Sequence, residues 1–280
     1  MSAPPKSEFA DPNDVFDGRL VVLAPHMDDE VLACGATLAT IRDKSNLFVI
    51  FATDGSKSPA PEFRWQGQPR SDLPEVRRTE ATKALGVLGV KPDQLVFLDL
   101  PDGRLHQHVD ELYGLLKDHL DHIDPDHILI PFRYDRHPDH LALHAAAKRA
   151  GRELRAQFAE YFVYSRWRLL PGGDIRSFVR DELLVKIDAE PVRDMKLRSL
   201  TCYVSQTTCW EAWQQRPILK KERVEFVAGD PERFLLADSA IDDARIFKTW
   251  GAVIPVIHFV EPVLKGWKER IKALVPYSRS

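Results

Sequence analysis

The chain is poor in cysteine, with Cys34, Cys202 and Cys209 the 3 in 280 residues. An odd number without a spacing pattern offers no disulfide framework and fits a reducing cytoplasm. No apolar run reaches transmembrane length. The N-terminus is polar, with Pro4, Pro5, Asp11, Pro12 and Asn13, and carries no signal-peptide core. Charge of one sign is also missing: 39 Lys and Arg face 42 Asp and Glu, a net −3, which argues against a nucleic-acid groove. The first apolar run is not followed by Gly-x-Gly-x-x-Gly, which removes the main signal of a dinucleotide cofactor. What is present is 44% hydrophobic content, enough for a full core in one large domain or a domain with an elaboration.

Two short stretches concentrate metal-type side chains. In the first, the β-branched run Leu20–Ala24 reads as a buried strand. Val31, Leu32, Thr37, Leu38 and Ile41 then recur at helical spacing. At the joint stand His26, Asp28, Asp29 and Glu30. His26 and Asp29 are three apart and can point the same way on a first helical turn, leaving Asp28 to point elsewhere as a base. The plainer reading, acids that cap a helix and favour its dipole, accounts for the carboxylates but not for the imidazole. The second stretch is His137-Pro138-Asp139-His140, between the apolar run His127–Pro131 and the Ala-rich helical segment 141–150. Together the two joints offer two His and one Asp, the three-ligand set with an open fourth position expected of catalytic zinc.

Strands are expected at Leu20–Ala24, Leu47–Thr53, Leu95–Leu98 and His127–Pro131. Helices are expected at Val31–Lys44, Pro74–Val90, Val109–His122 and Asp139–Arg152. Such alternation argues for a doubly wound, mostly parallel α/β sheet. In the common strand order 3-2-1-4, strands one and four are neighbours at the switch point where such folds bind ligands, and these strands carry the two motifs. Further strands at Tyr161–Tyr164 and Leu183–Ile187 and a helix at Val192–Val204 follow. Residues 207–260, with Trp210, Trp213 and Trp250, read as irregular structure wrapping the core. A last amphipathic helix, 261–275, is expected to dock on its own domain. The division is a lead-in at 1–18, a core at 19–165 and an elaboration of the same domain at 166–280 that forms part of the cleft wall.

Pro25-His26-Met27-Asp28-Asp29-Glu30 and His137-Pro138-Asp139-His140 resemble the two hallmark motifs of the PIG-L/LmbE-type zinc-dependent N-deacetylases. Met27 stands where that family has Pro. Softer similarities are Thr53-Asp54-Gly55, Arg77 with Glu80, Leu100-Pro101-Asp102-Gly103, and the run from Lys196 to Gln206. The resemblance spans about residues 20–206 and implies a Rossmann-like core. It also implies one divalent ion per chain, zinc or else iron(II) or another, held by His26, Asp29 and His140. Asp28 is then the general base. His137 stabilises the oxyanion as an imidazolium, and Asp139 orients it. The implied substrate is an N-acetylglucosamine-type amino sugar or glycoconjugate, contacted by Arg77, Asp54, Asp102 and Trp65. Trp65 lies in the long polar loop 55–73, read as a lid. The alternatives are a deacylase of another N-acyl natural product or thiol conjugate, and a non-catalytic metal- or glycan-binding protein. A homo-oligomer is allowed by the sequence. His119, His122 and His127 read as structural, while His106 and His108 are further candidates for substrate contact.

Overall fold

A computed structural model describes residues 8–59, 72–135, 137–163, 179 and 181–236. After a short helix α1 (Pro12–Val15) come β1 (Leu20–Ala24), α2 (Asp29–Thr40), β2 (Leu47–Thr53), α3 (Leu73–Val87) and β3 (Leu95–Leu100). They are followed by α4 (Val109–Ile123), β4 (His127–Pro131), α5 (Pro138–Ala150) and β5 (Gln157–Tyr161). The remainder is β6 (Leu184–Ile187), α6 (Arg193–Thr201), α7 (Val204–Thr207), α8 (Lys221–Gly229) and β7 (Glu232–Leu236). The sheet order is β3-β2-β1-β4-β5-β7-β6; the first five strands are parallel, and β7 runs antiparallel to both its neighbours.

Strand alternation splits the core between the two faces. Leu20, Val22, Val49 and Phe51 pack with Val31, Cys34, Leu38, Ala84, Leu85 and Leu200 of α2, α3 and α6. Val21, Leu23, Ile50 and Ile128 pack with Leu112, Leu116, Leu120, Leu143 and Ala147 of α4 and α5. The α4 residues recur every fourth position and form the apolar stripe that places this helix. Cys34 is fully buried, as a packing residue should be.

Three outcomes differ from the sequence expectation. The fifth strand sits earlier, at Gln157–Tyr161, because its register is set by β4 (His127 opposite Gln157, Pro131 opposite Tyr161). Residues 207–260 are not wholly irregular: α8 and β7 lie within them, and β7 joins the main sheet. The helix expected at Val192–Val204 is divided into α6 and α7. Most of the loop 55–73, Trp250 and the helix at 261–275 lie outside the described residues. Among those described, no helix is long and apolar enough to cross a membrane.

Strand β7 is also pinned to α2 by a buried charge. Glu232 accepts from Lys196 Nζ at 2.6 Å, from Ala36 N at 2.6 Å, and from Thr37 N and Thr37 Oγ1 at 2.8 and 2.6 Å. Removing one partner of such a pair leaves a buried charge uncompensated. Glu232→Ala should therefore lose about 3–5 kcal/mol of stability in urea titration; a loss under about 1 kcal/mol would show that the pair does not hold β7 to α2.

Candidate metal centre

The β1–β4 pairing (Leu20 opposite His127, Val22 opposite Leu129) brings the two motif loops side by side at the carboxyl end of the sheet. The ring centroids of His26 and His137 are 4.8 Å apart, those of His26 and His140 5.5 Å, and those of His137 and His140 5.1 Å. Asp29 Oδ2 lies 3.1 Å from His26 Nδ1 and 3.2 Å from His140 Nε2. In a tetrahedral site with bonds of about 2.0–2.2 Å the edges between ligands are about 3.3–3.6 Å. The two edges that meet at Asp29 are thus close to the spacing of such a site. Two further donor groups share the centre: His26 with His137 and His140, and His26 with Asp102 and Asp139, each with ligand atoms within 4.8 Å of one another. We favour the Asp29-centred set because one carboxylate oxygen stands between two imidazole nitrogens from different strand ends.

The outer groups lock these rings in place. Asp102 Oδ1 and Asp139 Oδ2 lie 3.3 and 3.2 Å from His26 Nε2. Asp135 Oδ2 lies 3.3 Å from His140 Nδ1, and its Oδ1 accepts from His137 N at 2.9 Å. Carboxylates behind ligating imidazoles orient them and raise their basicity. Asp135 was not singled out in the sequence, although it stands two residues before His137. Asp139 also accepts from Gly103 N at 2.6 Å and Leu105 N at 3.0 Å, which ties the loop after β3 to α5. Its carboxylate faces His26, whereas the sequence reading had placed it behind His137. His137 is the N-cap of α5, its Nδ1 accepting from Asp139 N at 3.3 Å. That bond assigns the ring proton of a neutral His137 to Nε2.

The charges follow from burial. Desolvation works against the charged form of His26, but Asp102, Asp139 and Asp29 overcome it and lift its pKa well above normal. His140 is likewise opposed by burial and raised to about 9 by Asp135 and Asp29. Burial would raise Asp29, yet His140 and His26 hold it well below the usual carboxylate range. Asp102 is opposed by burial and brought to about 2, chiefly by His26. In the metal-free protein, protons on His26 and His140 thus balance clustered carboxylates, and a divalent ion would displace those protons. His137 differs from the expected imidazolium: burial, then the charges of His26 and His140, lower it to about 3.

Asp28 stands apart from the ring of donors. It occupies the N-cap of α2 at φ 151°, yet its side chain makes no capping hydrogen bond, so simple helix capping does not explain it. A side-chain-bearing residue held there costs about 1–3 kcal/mol and persists only where its surroundings fix it. Burial raises Asp28 to about 7, against the pull of Arg77 and with the push of Asp29. Next to it, burial raises Glu30 to about 8 although Tyr203 donates to it.

The expected substrate contacts separate. Asp54, half-buried, accepts from Ser56 N and Asp102 N through Oδ1 at 3.0 and 3.2 Å. Asp102 lies beside His26 and accepts from Lys57 N at 3.0 Å. Arg77 is 1% exposed and turns inward, to Met27 O at 2.5 Å. Trp65 lies outside the described residues. Of the other histidines, His106 is exposed and pairs with Gln107, His108 pairs with Glu111, and His127 with Asp17.

Residues 21–151, the stretch that carries both motifs, match the PIG-L family model, described as GlcNAc-PI de-N-acetylase. The match covers a little under half of the chain. An uncharacterized deacetylase of Escherichia coli K12, YaiS, is 28% identical over 176 residues, covering 61% of this chain and 87% of the relative. Among solved structures, the N,N'-diacetylchitobiose deacetylase of Pyrococcus horikoshii superposes with TM-score 0.55 at 18% identity, over 84% of this chain and 91% of that one. The 4-carboxy-2-hydroxymuconate hydratase GalB of Pseudomonas putida KT2440 superposes with TM-score 0.52 at 16% identity, over 75% and 82%. At such identities the two structures share the fold with this chain; they differ in reaction between themselves.

The burial of Glu30 has a thermodynamic signature. Its folded pKa of about 8 lies above its ordinary 4.5, so between these values the folded state holds a proton that the unfolded chain releases. The resulting contribution to stability is complete below about pH 4.5 and is lost as pH rises toward 8. In chelator-treated protein, urea titrations from pH 5 to 8 should show a shallower decline for Glu30→Gln than for wild type. Parallel slopes would contradict the burial of an ionisable group at this position.

Proposed function

We propose that this protein is a metal-dependent N-deacetylase. Its substrate is an N-acetylglucosamine-type amino sugar or glycoconjugate, from whose amide nitrogen it removes acetyl or a similar acyl group. The observation that carries the reading is Asp28: a buried carboxylate, raised by burial to about 7, on the residue next to the Asp29 that stands between His26 and His140. A binding protein has no need of such a base. The family description, the deacetylase relative and the chitobiose deacetylase support the amide and the amino sugar.

His26, Asp29 and His140 would hold the ion, which when bound polarises an amide carbonyl and acidifies water. Asp28 accepts a proton from the attacking water as its oxygen bonds to the acyl carbon. It then returns the proton to the nitrogen as the C–N bond breaks, giving a carboxylic acid and an amine, whose remaining proton exchange leaves a carboxylate and an ammonium. A base with a pKa near the working pH suits both transfers. His137, neutral and protonated at Nε2, donates to the carbonyl oxygen as that oxygen gains charge. Asp102, next to His26, and Asp54 behind it are the proposed sugar contacts, with Trp65 if the loop after β2 reaches the cleft. The chemistry also serves other N-acyl natural products and thiol conjugates, so the acyl donor is settled by assay.

Chelation should abolish amine release from N-acetylated amino sugars, and zinc should restore it. Asp28→Asn should retain the metal and lose on the order of 10²-fold or more in kcat. Hydrolysis that survives metal removal would overturn the reading; release only from non-sugar amides would replace the substrate and keep the mechanism. His137→Ala should retain metal and lose about 10²–10³-fold in kcat, the scale of one oxyanion donor. Because His137 is neutral over the working range, its removal should lower the pH–rate profile without reshaping it. A basic limb that disappears in the variant would restore the imidazolium.

A further inference from the structure

Asp28 is held by its backbone. The peptide between Met27 and Asp28 is gripped at both ends: Arg77 Nη2 donates to Met27 O at 2.5 Å, and Asp28 N donates to Glu30 Oε2 at 3.0 Å. Behind Glu30, the Tyr203 hydroxyl donates to Oε1, from a residue 173 positions along the chain. Arg77 is anchored in turn by Gly55 O at 3.4 Å from Nη1, and its Nη2 lies 3.4 Å from Asp28 Oδ1. Arg77, Glu30 and Tyr203 are all fully buried. Their grip coincides with the positive φ of Asp28, where a side chain is not at ease unless its peptide is held. Gly55 is part of the same fit, because a Cβ there would stand 2.9 Å from Arg77 Cδ and from Met27 Cε.

We infer that Arg77, Glu30 and Tyr203 are positioning residues that clamp the Met27–Asp28 peptide and thereby aim the Asp28 carboxylate at the centre held by His26, Asp29 and His140. The inference rests on the deacetylase reading for what Asp28 does there, but not for the clamp itself. It changes the place of Arg77: the buried guanidinium donates to backbone carbonyls behind the base. A hydroxyl of the substrate would meet it only if this buried side chain became exposed.

The clamp predicts a loss confined to turnover. In zinc-loaded protein, Tyr203→Phe, which removes one hydroxyl, should bind as much zinc per chain as wild type. Its KM should stay within about twofold while kcat falls about 10–100-fold, as for other groups that orient a reacting side chain. In an Asp28→Asn background the same change should cost nothing further, since its effect passes through Asp28. Glu30→Leu, without an acceptor for Asp28 N, should lose more than Glu30→Gln, which keeps one. Crystal structures of Tyr203→Phe and Glu30→Leu test the clamp without any assay, and the near-isosteric Tyr203→Phe decides if Glu30→Leu does not fold. The Met27–Asp28 peptide should turn and Asp28 should leave its positive φ. A peptide that stays in place overturns the inference, as does an Arg77→Lys variant that raises KM with kcat unchanged, which would return Arg77 to the substrate. A wild-type protein that releases no amine from any N-acyl amino sugar would instead defeat the deacetylase reading, and the variant structures would still judge the clamp.

Discussion

Parallel pairing of β1 with β4 is the constraint on which the site depends. The two loops that carry imidazoles are separated by about a hundred residues of chain and share no local structure. They meet because a doubly wound sheet reverses its order between these strands. Once β1 and β4 are adjacent, the first turns of α2 and α5 face the same crevice. Asp29 then stands between His26 and His140. The loops after β2 and β3 are drawn in by carboxylates: Asp102 accepts from Lys57 N, and Asp139 from Gly103 N and Leu105 N. Four strand ends are thus tied around one imidazole, His26.

Such a centre concentrates charge where water is excluded, and its members share protons to offset that. Two imidazoles take protons from their surroundings and four carboxylates (Asp29, Asp102, Asp135 and Asp139) give theirs up. Asp28 and Glu30 are pushed the other way, because burial outweighs what their neighbours offer. Adjacent carboxylates with opposite shifts are the usual mark of divided roles, one to hold and one to move a proton. On the proposed reading, the same motif separates a ligand from a base within two consecutive residues.

Much of this was legible in the sequence. Strands β1, β2 and β4 have the expected bounds because uninterrupted apolar runs mark strands buried on both faces. Strand β5 was harder, since Gln157 and Glu160 interrupt its apolar pattern and its bounds come from pairing with β4. Strand β7 was invisible for a related reason: Glu232 looks like a loop residue, and only Lys196 and the α2 backbone make it a buried one. The motifs marked His26, Asp28, Asp29, His137 and His140, and the structure brings all five together. Asp135 left a trace as an acid beside a histidine. Tyr203 lies in the family-like run from Lys196 to Gln206 but was not singled out, because its link to Glu30 exists only in three dimensions. Arg77 looked like a substrate contact because a helical arginine near a ligand-binding loop gives no sign of facing inward.

The most direct test of the account is a crystal structure of zinc-loaded protein, with the ion located by anomalous scattering. A single peak within about 2.0–2.2 Å of His26 Nδ1, Asp29 Oδ2 and His140 Nε2, with His137 and Asp28 not coordinated, is the predicted result. A peak between His26 Nε2, Asp102 and Asp139, or one bound by Asp28 itself, would contradict the division of labour between ligand and base.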